Sequence, residues 1–244
     1  IYIEIMCGIF GIINFSEKIV SRNDLMILSD NMIHRGPDDS GIFISNNISI
    51  GMRRLSIIDL SNGQQPMYNE DKSICLVFNG EIYNYKELRV SLRQKGYNFR
   101  TESDVEVLIY LYQEYGRKCI QMINGMFAFA LWDKRTNKII LARDRFGQKP
   151  LYYYQNQNEL LFSSDIRSIW SLKKALLNID MDSLDYYLCE LSTPQPKTIW
   201  KEIQQLPAGH YMIVGPNKTT VSKYWSLEYS EKIKISLEES IEES

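Results

Sequence analysis

The sequence has no marked excess of charge of either sign and no long hydrophobic run. Its 244 residues include 28 Lys and Arg against 30 Asp and Glu, which gives a net charge of −2. This balance argues against a dedicated nucleic-acid-binding protein, which usually carries a basic excess. No apolar run approaches the ~18 residues that span a bilayer, and residues 1–5 lack the basic and apolar regions of a signal peptide. We therefore expect a cytoplasmic protein without a membrane or nucleic-acid partner.

Cysteine is scarce and widely spaced. The four cysteines are Cys7, Cys75, Cys119 and Cys189. No two of them form a Cys-x-x-Cys pair, so the spacing gives no support to a zinc site. A disulfide scaffold is not expected in a chain of this length and ordinary composition. We expect Cys75, Cys119 and Cys189 to be buried as small hydrophobic residues, whereas Cys7 has a different context.

What the chain does have is the composition of a globular protein. Hydrophobic residues make up 44% and charged residues 24%, close to the averages for soluble domains, which excludes disorder as the main state. The hydrophobic pattern predicts strands in antiparallel groups with helices between the groups, so the predicted fold class is α+β. One predicted helix, over 104–115, has Ser103 as its cap and Glu106 at the position that completes a capping box.

Both ends of the sequence resemble cut edges. Residues 1–5 precede a methionine, Met6. The charged tail from Glu231 onward begins an amphipathic helical pattern without a C-cap. We expect this tail to link the chain to a further segment.

The first chemical signal is Met-Cys-Gly-Ile-Phe-Gly at 6–11. If Met6 is the initiator, its removal makes Cys7 the N-terminal residue. Cys7 then carries a thiol and an α-amino group, whose usual pKa of ~7.7–8.0 is close to neutral pH. The amine can take the thiol proton, so neither His34 nor His210 is needed as a base. Such a residue suits acyl transfer from a carboxamide through a thioester.

Three further segments could bind a small amide substrate, and each has a plain structural alternative. Asn79-Gly80 follows the predicted strand 74–78 and offers the two donors of an oxyanion hole, although Asn-Gly is also a common hairpin turn. Arg54 could bind a carboxylate through two N–H groups or lie on the surface. Asp104, at a helix start, could hold an ammonium group or belong to a simple helix cap.

Taken together, these segments resemble the glutaminase domain of the glutamine-using asparagine synthetases, a class II amidotransferase domain with an N-terminal nucleophile. The resemblance runs from Met6 to about Trp225. It rests on an ordered series of motifs: Met-Cys-Gly-Ile-Phe-Gly (6–11), His-Arg-Gly-Pro-Asp (34–38), Arg-Leu-Ser-Ile-Ile-Asp (54–59), Gln-Gln-Pro-Met (64–67), Asn-Gly-Glu-Ile-Tyr-Asn (79–84), Ser-Asp-Val-Glu (103–106), Asn-Gly-Met-Phe-Ala-Phe-Ala (124–130), Arg-Asp-Arg-Phe-Gly-Gln-Lys-Pro-Leu-Tyr (143–152) and Leu-Pro-Ala-Gly-His (206–210).

This resemblance implies a fold and a reaction. The fold would be a four-layer αββα sandwich of two antiparallel sheets, of the N-terminal nucleophile hydrolase type. The reaction would be hydrolysis of L-glutamine to glutamate and ammonia. Cys7 would be the nucleophile, and Asn79 and Gly80 would form the oxyanion hole.

The resemblance also implies how glutamine would be held. Arg54 would bind the α-carboxylate, with the backbone through Ile58 lining that side. Glu81 and Asp104 would hold the α-amino group. No metal ion or other cofactor would be needed in this chain.

The resemblance further divides the chain into three parts. Residues 1–5 would be an extra leader, 6–225 the glutaminase domain, and 226–244 a linker and the first helix of an absent ATP-dependent synthetase domain. That domain, with ATP and magnesium, would use the ammonia to amidate an activated aspartate. A homodimer is suggested by the family alone.

Two departures from the family pattern leave alternatives open. With residues 1–5 and Met6 in place, Cys7 has no free amine, and the chain would be a catalytically blocked glutamine-binding domain. Without the synthetase half, the acceptor is also open. A paralogue that amidates another carboxylic acid, in cell-envelope or antibiotic chemistry, would share this domain.

Overall fold

A computed structural model of the chain describes residues 6–16, 18–55, 64–216 and 218–228. The α-helices in these ranges are α1 (Arg22–Asp30), α2 (Tyr85–Gln94), α3 (Asp104–Tyr115), α4 (Cys119–Met122), α5 (Ile166–Lys173) and α6 (Met181–Glu190). The strands are β1 (Gly8–Asn14), β2 (Asp39–Ser45), β3 (Ile48–Arg54), β4 (Met67–Tyr68), β5 (Ile74–Ile82), β6 (Gly125–Asp133), β7 (Lys138–Arg143), β8 (Tyr152–Gln155), β9 (Glu159–Ser163), β10 (Ile203–Gln205), β11 (His210–Val214) and β12 (Thr219–Lys223). None of the described helices is long and apolar enough to cross a membrane.

The strands form two six-stranded sheets. The first sheet has the order β10-β8-β9-β1-β3-β2, and the second has the order β12-β11-β7-β6-β5-β4. Every recorded pairing between these strands is antiparallel. This arrangement confirms the predicted α+β class with two antiparallel sheets.

The side chains of β5 show how the layers are stacked. Successive side chains of a strand point to opposite faces of its sheet. Ile74, Leu76 and Phe78 accordingly pack in a core with side chains of α2, α3 and α4. Cys75 and Val77 pack in a second core between the two sheets, which includes side chains of β1, β3 and β9. A third core lies between the first sheet and helices α1 and α5, so the layers run helix, sheet, sheet, helix.

The structure corrects two of the local predictions. The strand predicted over 74–78 continues to Ile82, because β6 pairs with it along its whole length, and Asn79 and Gly80 lie opposite Ala128 and Phe127. The hairpin-turn alternative for Asn79-Gly80 is therefore wrong. The expected burial of Cys189 is also wrong, because that residue is exposed on α6.

The predicted capping box of α3 forms only in part. Ser103 caps the helix by accepting the N–H of Val105 at 3.2 Å. The Glu106 carboxylate bonds instead to the N–H groups of Arg100 and Thr101, at 2.9 and 2.8 Å. Glu106 is buried, so these bonds hold the loop that precedes the helix.

Candidate active site

Cys7 lies immediately before β1, at the end of the first sheet. Its side chain is partly buried and packs against the core between the two sheets. The Leu55 N–H points to Sγ at 3.4 Å, and Sγ lies 3.7 Å from the Leu55 carbonyl oxygen. The β1–β3 register places Gly8 opposite Arg53. The thiol is therefore fixed beside the end of β3.

Arg54 is the last residue of β3. Ile50 and Met52 of this strand face the core between the sheets, and the two-residue period of a strand puts Arg54 on the same face. Arg54 is buried. Its carbonyl oxygen accepts the N–H of Asp38 at 3.2 Å, which ties β3 to the start of β2.

Asn79 faces the same space from the second sheet. The alternation that turns Cys75 and Val77 toward the first sheet applies equally to Asn79. Asn79 is only 2% exposed, yet its side-chain Nδ2 has no hydrogen-bond partner. Buried amide donors are nearly always paired, because an unpaired one costs about 1–3 kcal/mol. The Asn79 amide therefore has a donor that no group in the described part of the chain uses.

Gly80 has a backbone that other residues could not adopt here. Its φ is +150°, and a Cβ at this position would collide with the Met126 carbonyl oxygen. In a strand, the N–H groups of every second residue point to the same neighbouring strand or edge. Phe78 receives the side chain of Gln65 on that side and Ile82 receives that of Asp104, so the Gly80 N–H points to the same edge, between them.

Two carboxylates lie at the far end of β5. The Asp104 Oδ2 accepts the Ile82 N–H at 2.8 Å, whereas Glu81 is exposed. Burial raises the pKa of Asp104, and the Glu81 charge adds to the rise, while the bond from Ile82 opposes it. Two neighbouring acids, one exposed and one half-buried, thus place carboxyl groups together at this end of β5.

The loop before Asp104 is held by a buried arginine that the sequence reasoning missed. Arg89 of α2 is only 4% exposed. It donates to the carbonyl oxygens of Thr101 and Ser103, each at 2.8 Å, and to the Glu102 carboxylate at 2.8 Å. These bonds fix the turn that starts α3 and thus the position of Asp104. The helical pattern of α2 contains no signal that would distinguish this arginine from a surface one.

A contact between the two sheets connects the strands that carry the predicted site residues. The end of β3 pairs with the start of β2, and a Cβ on Gly41 of β2 would collide with the Gln65 carbonyl oxygen. The Gln65 side chain in turn bonds to Phe78, next to Asn79. Cys7, Arg54, Asn79, Gly80, Glu81 and Asp104 are thereby linked through backbone pairing and this bridge. The predicted Ile58 lies outside the described residues.

The raised pKa of Asp104 makes stability depend on pH. In the window above the usual carboxyl pKa, the folded chain holds a proton that the unfolded chain has lost, so the free energy of unfolding falls as pH rises. Asp104→Asn cannot ionise but keeps an oxygen for Ile82. We expect its urea unfolding midpoint to decline less than that of the parent from mildly acidic to neutral pH.

The matched control for this prediction is Asp182→Asn, at an exposed position of α6. It should retain the parent's pH dependence. If the unfolding midpoint changes with pH equally in the parent and in Asp104→Asn, Asp104 does not cause the pH dependence.

Comparisons with known proteins bear on the family and the fold of the chain. The sequence profile of the family described as "Glutamine amidotransferase domain" matches residues 6–225. The chain is 42% identical over 239 residues to asparagine synthetase [glutamine-hydrolyzing] 2 of Bacillus subtilis strain 168, covering 91% of this chain and 31% of that protein. Asparagine synthetase [glutamine-hydrolyzing] 3 of the same strain is 34% identical, with 97% of this chain and 39% of that protein covered. The chain thus spans well under half the length of these relatives.

A solved structure shows the same fold. Glutamine phosphoribosylpyrophosphate amidotransferase from B. subtilis, complexed with ADP and GMP, superposes with a TM-score of 0.63 at 18% identity, covering 90% of this chain and 49% of that one. In the described part of our chain, no group of three or more His, Cys, Asp or Glu side chains is placed to hold a metal ion.

Proposed function

Because this chain belongs to the class II glutamine amidotransferase domain family, we propose that it hydrolyses the side-chain amide of L-glutamine to glutamate and ammonia, with Cys7 as the nucleophile. The observation that carries this proposal is the buried, unpaired Asn79 amide. It lies on the face of the second sheet that meets the face carrying Arg54 and Cys7. A thiol opposite a free amide donor is the arrangement that acyl transfer from a carboxamide requires.

The reaction needs a free α-amino group on Cys7. That amine takes the thiol proton, and the thiolate attacks the glutamine Cδ to give a tetrahedral oxyanion. The Asn79 Nδ2–H and the Gly80 N–H donate to this oxygen. The C–N bond then breaks, and the departing nitrogen takes the proton from the amine and leaves as ammonia. A water hydrolyses the remaining thioester, giving glutamate and restoring the thiol.

The rest of the glutamine molecule is held by charge. Arg54 binds the α-carboxylate, and the backbone through Ile58 lines that side. Glu81 and Asp104 hold the α-ammonium group. The two charged groups at the α-carbon are thus matched to one cation and two acids, which directs the amide at the other end of the molecule to the thiol and favours reaction through orientation.

We assign the ammonia to an amidation carried out by a longer chain. The relatives named above are asparagine synthetases of which this chain spans 31% and 39%, which supports an acceptor of the aspartate class activated by ATP. Magnesium would be bound elsewhere in the longer chain, since the described residues offer no group of three or more His, Cys, Asp or Glu side chains for it.

The test is glutamate formation by the chain with Cys7 as its first residue. Intact mass should first show that the amine is free. We expect L-glutamine to be hydrolysed and L-asparagine, whose amide is one methylene closer to the α-carbon, to remain intact. A folded chain with a free Cys7 amine that releases no glutamate from glutamine would refute the proposal.

A further inference from the structure

The outer edge of β5 is closed partly by a strand and partly by side chains. Met67 and Tyr68 of β4 pair with Leu76 and Cys75, and β4 then ends. One step further, backbone pairing is replaced by a side-chain amide, that of Gln65. Its Oε1 accepts the Phe78 N–H at 2.6 Å, and its Nε2 donates to the Phe78 carbonyl oxygen at 3.2 Å.

Gln65 lies where a longer β4 would have paired with Phe78. The β4–β5 register pairs Met67 with Leu76, so stepping two residues back along β4 and two forward along β5 places Gln65 opposite Phe78. Its side-chain amide has both a donor and an acceptor, as a peptide group does. It therefore satisfies Phe78 while the main chain turns away toward Gly41 of β2.

Because the Gln65 side chain replaces a backbone partner at Phe78, the Gly80 N–H, the next group that points to this edge of β5, has no strand opposite it among the described residues. Gly80 lies between two residues, Phe78 and Ile82, that are each held by a side chain. On one side Gln65 holds Phe78, and on the other Asp104 holds Ile82 at 2.8 Å. A β4 extended past Gln65 would have covered the Gly80 N–H by continuing the ladder. The side-chain amide ends the pairing one step before that group.

We propose that Gln65 is a positioning residue for the hydrolysis of glutamine: it fixes the backbone at Phe78 so that the Asn79 amide and the Gly80 N–H meet the oxyanion, and it keeps the Gly80 edge uncovered. The inference rests on the proposed function of Asn79 and Gly80. Gln65 itself contacts Phe78, and acts through it. We expect Gln65 to affect the stability of the transition state and not the binding of glutamine, because other groups hold the substrate in the ground state.

The experiment compares Gln65→Met, which keeps the side-chain length without the amide, with Gln64→Met as a matched control at the exposed neighbouring position. In the chain that starts at Cys7, we expect Gln65→Met to lower kcat about tenfold, since small misplacements of donors cost one to two decades, with KM changed less than about twofold. Backbone amide exchange should rise at Phe78, whose N–H loses its partner, but not at Ile82, which Asp104 still holds. Gln64→Met should match the parent in every measurement.

The outcomes separate this inference from the proposed function. Faster exchange at Phe78 with unchanged kcat would overturn it, as would equal losses for the two variants. A parent chain without activity would refute the proposed function, and amide exchange at Phe78 in the two variants would then show whether Gln65 fixes that backbone. If Gln65→Met does not fold, Gln65→Glu takes its place: it keeps an oxygen for the Phe78 N–H but sets a second carboxylate oxygen against the Phe78 carbonyl oxygen, so kcat should fall at least as far.

Discussion

Cys7→Ala should abolish glutamate formation by the chain that starts at residue 7. Without the thiol, no thioester forms, and the oxyanion donors have no nucleophile to assist, so the rate should fall more than about 10³-fold. The fold should persist, because Cys7 is only partly buried and its polar contacts are long, at 3.4 and 3.7 Å. A steady-state glutaminase assay together with a thermal melt measures both results.

Two controls sharpen this prediction. Cys189→Ala removes an exposed thiol on α6 and should leave the rate unchanged. The form that retains Met6 keeps the thiol but has an amide in place of the free amine, so it should bind glutamine and hydrolyse it no faster than Cys7→Ala. Activity in the Met6-retaining form would show that the α-amine is not the base.

The α+β class follows from the grouping of the predicted strands, and Cys7 as a candidate nucleophile follows from the ordered series of motifs, whereas the surroundings of Asn79 and Gly80 could not be predicted. The Met-Cys-Gly segment on its own gives only a cysteine that becomes N-terminal if Met6 is removed. Asn79-Gly80, by contrast, has the local statistics of a turn and becomes a strand only because β6, more than 40 residues later, pairs with it. Tertiary pairing overrides local preference here, as it often does for strands.

The supporting residues are missed for a similar reason. Gln65 meets Phe78, 13 residues away, through a register that exists only once β4 has paired with β5. Arg89 has the sequence context of a surface helix, yet it is buried by the loop whose carbonyl oxygens it binds. The exposure of Cys189 is the reverse case: α6 carries apolar residues, but of its residues only Ser183 is fully buried.

Asn79→Ala should lower kcat about 10²–10³-fold, equivalent to about 2.7–4 kcal/mol, the usual effect of removing one oxyanion-hole donor. KM should change little, because the donor is needed only once negative charge develops on the oxygen. The melting temperature should also change little. The Asn79 Nδ2 has no partner in the folded chain, so its removal breaks no hydrogen bond and relieves the cost of burying an unpaired donor.

Asn69→Ala provides the opposite case in the same sheet. Asn69 is equally buried, at 2%, but its side chain accepts the Ile74 N–H at 2.9 Å and donates to the Ser73 hydroxyl at 3.1 Å. Its removal should cost about 1–3 kcal/mol of stability and leave kcat unchanged. We therefore expect Asn69 to support the fold and Asn79 to support the reaction. If Asn79→Ala loses stability as Asn69→Ala does while kcat is retained, Asn79 is a structural residue and the oxyanion must be stabilised by other donors.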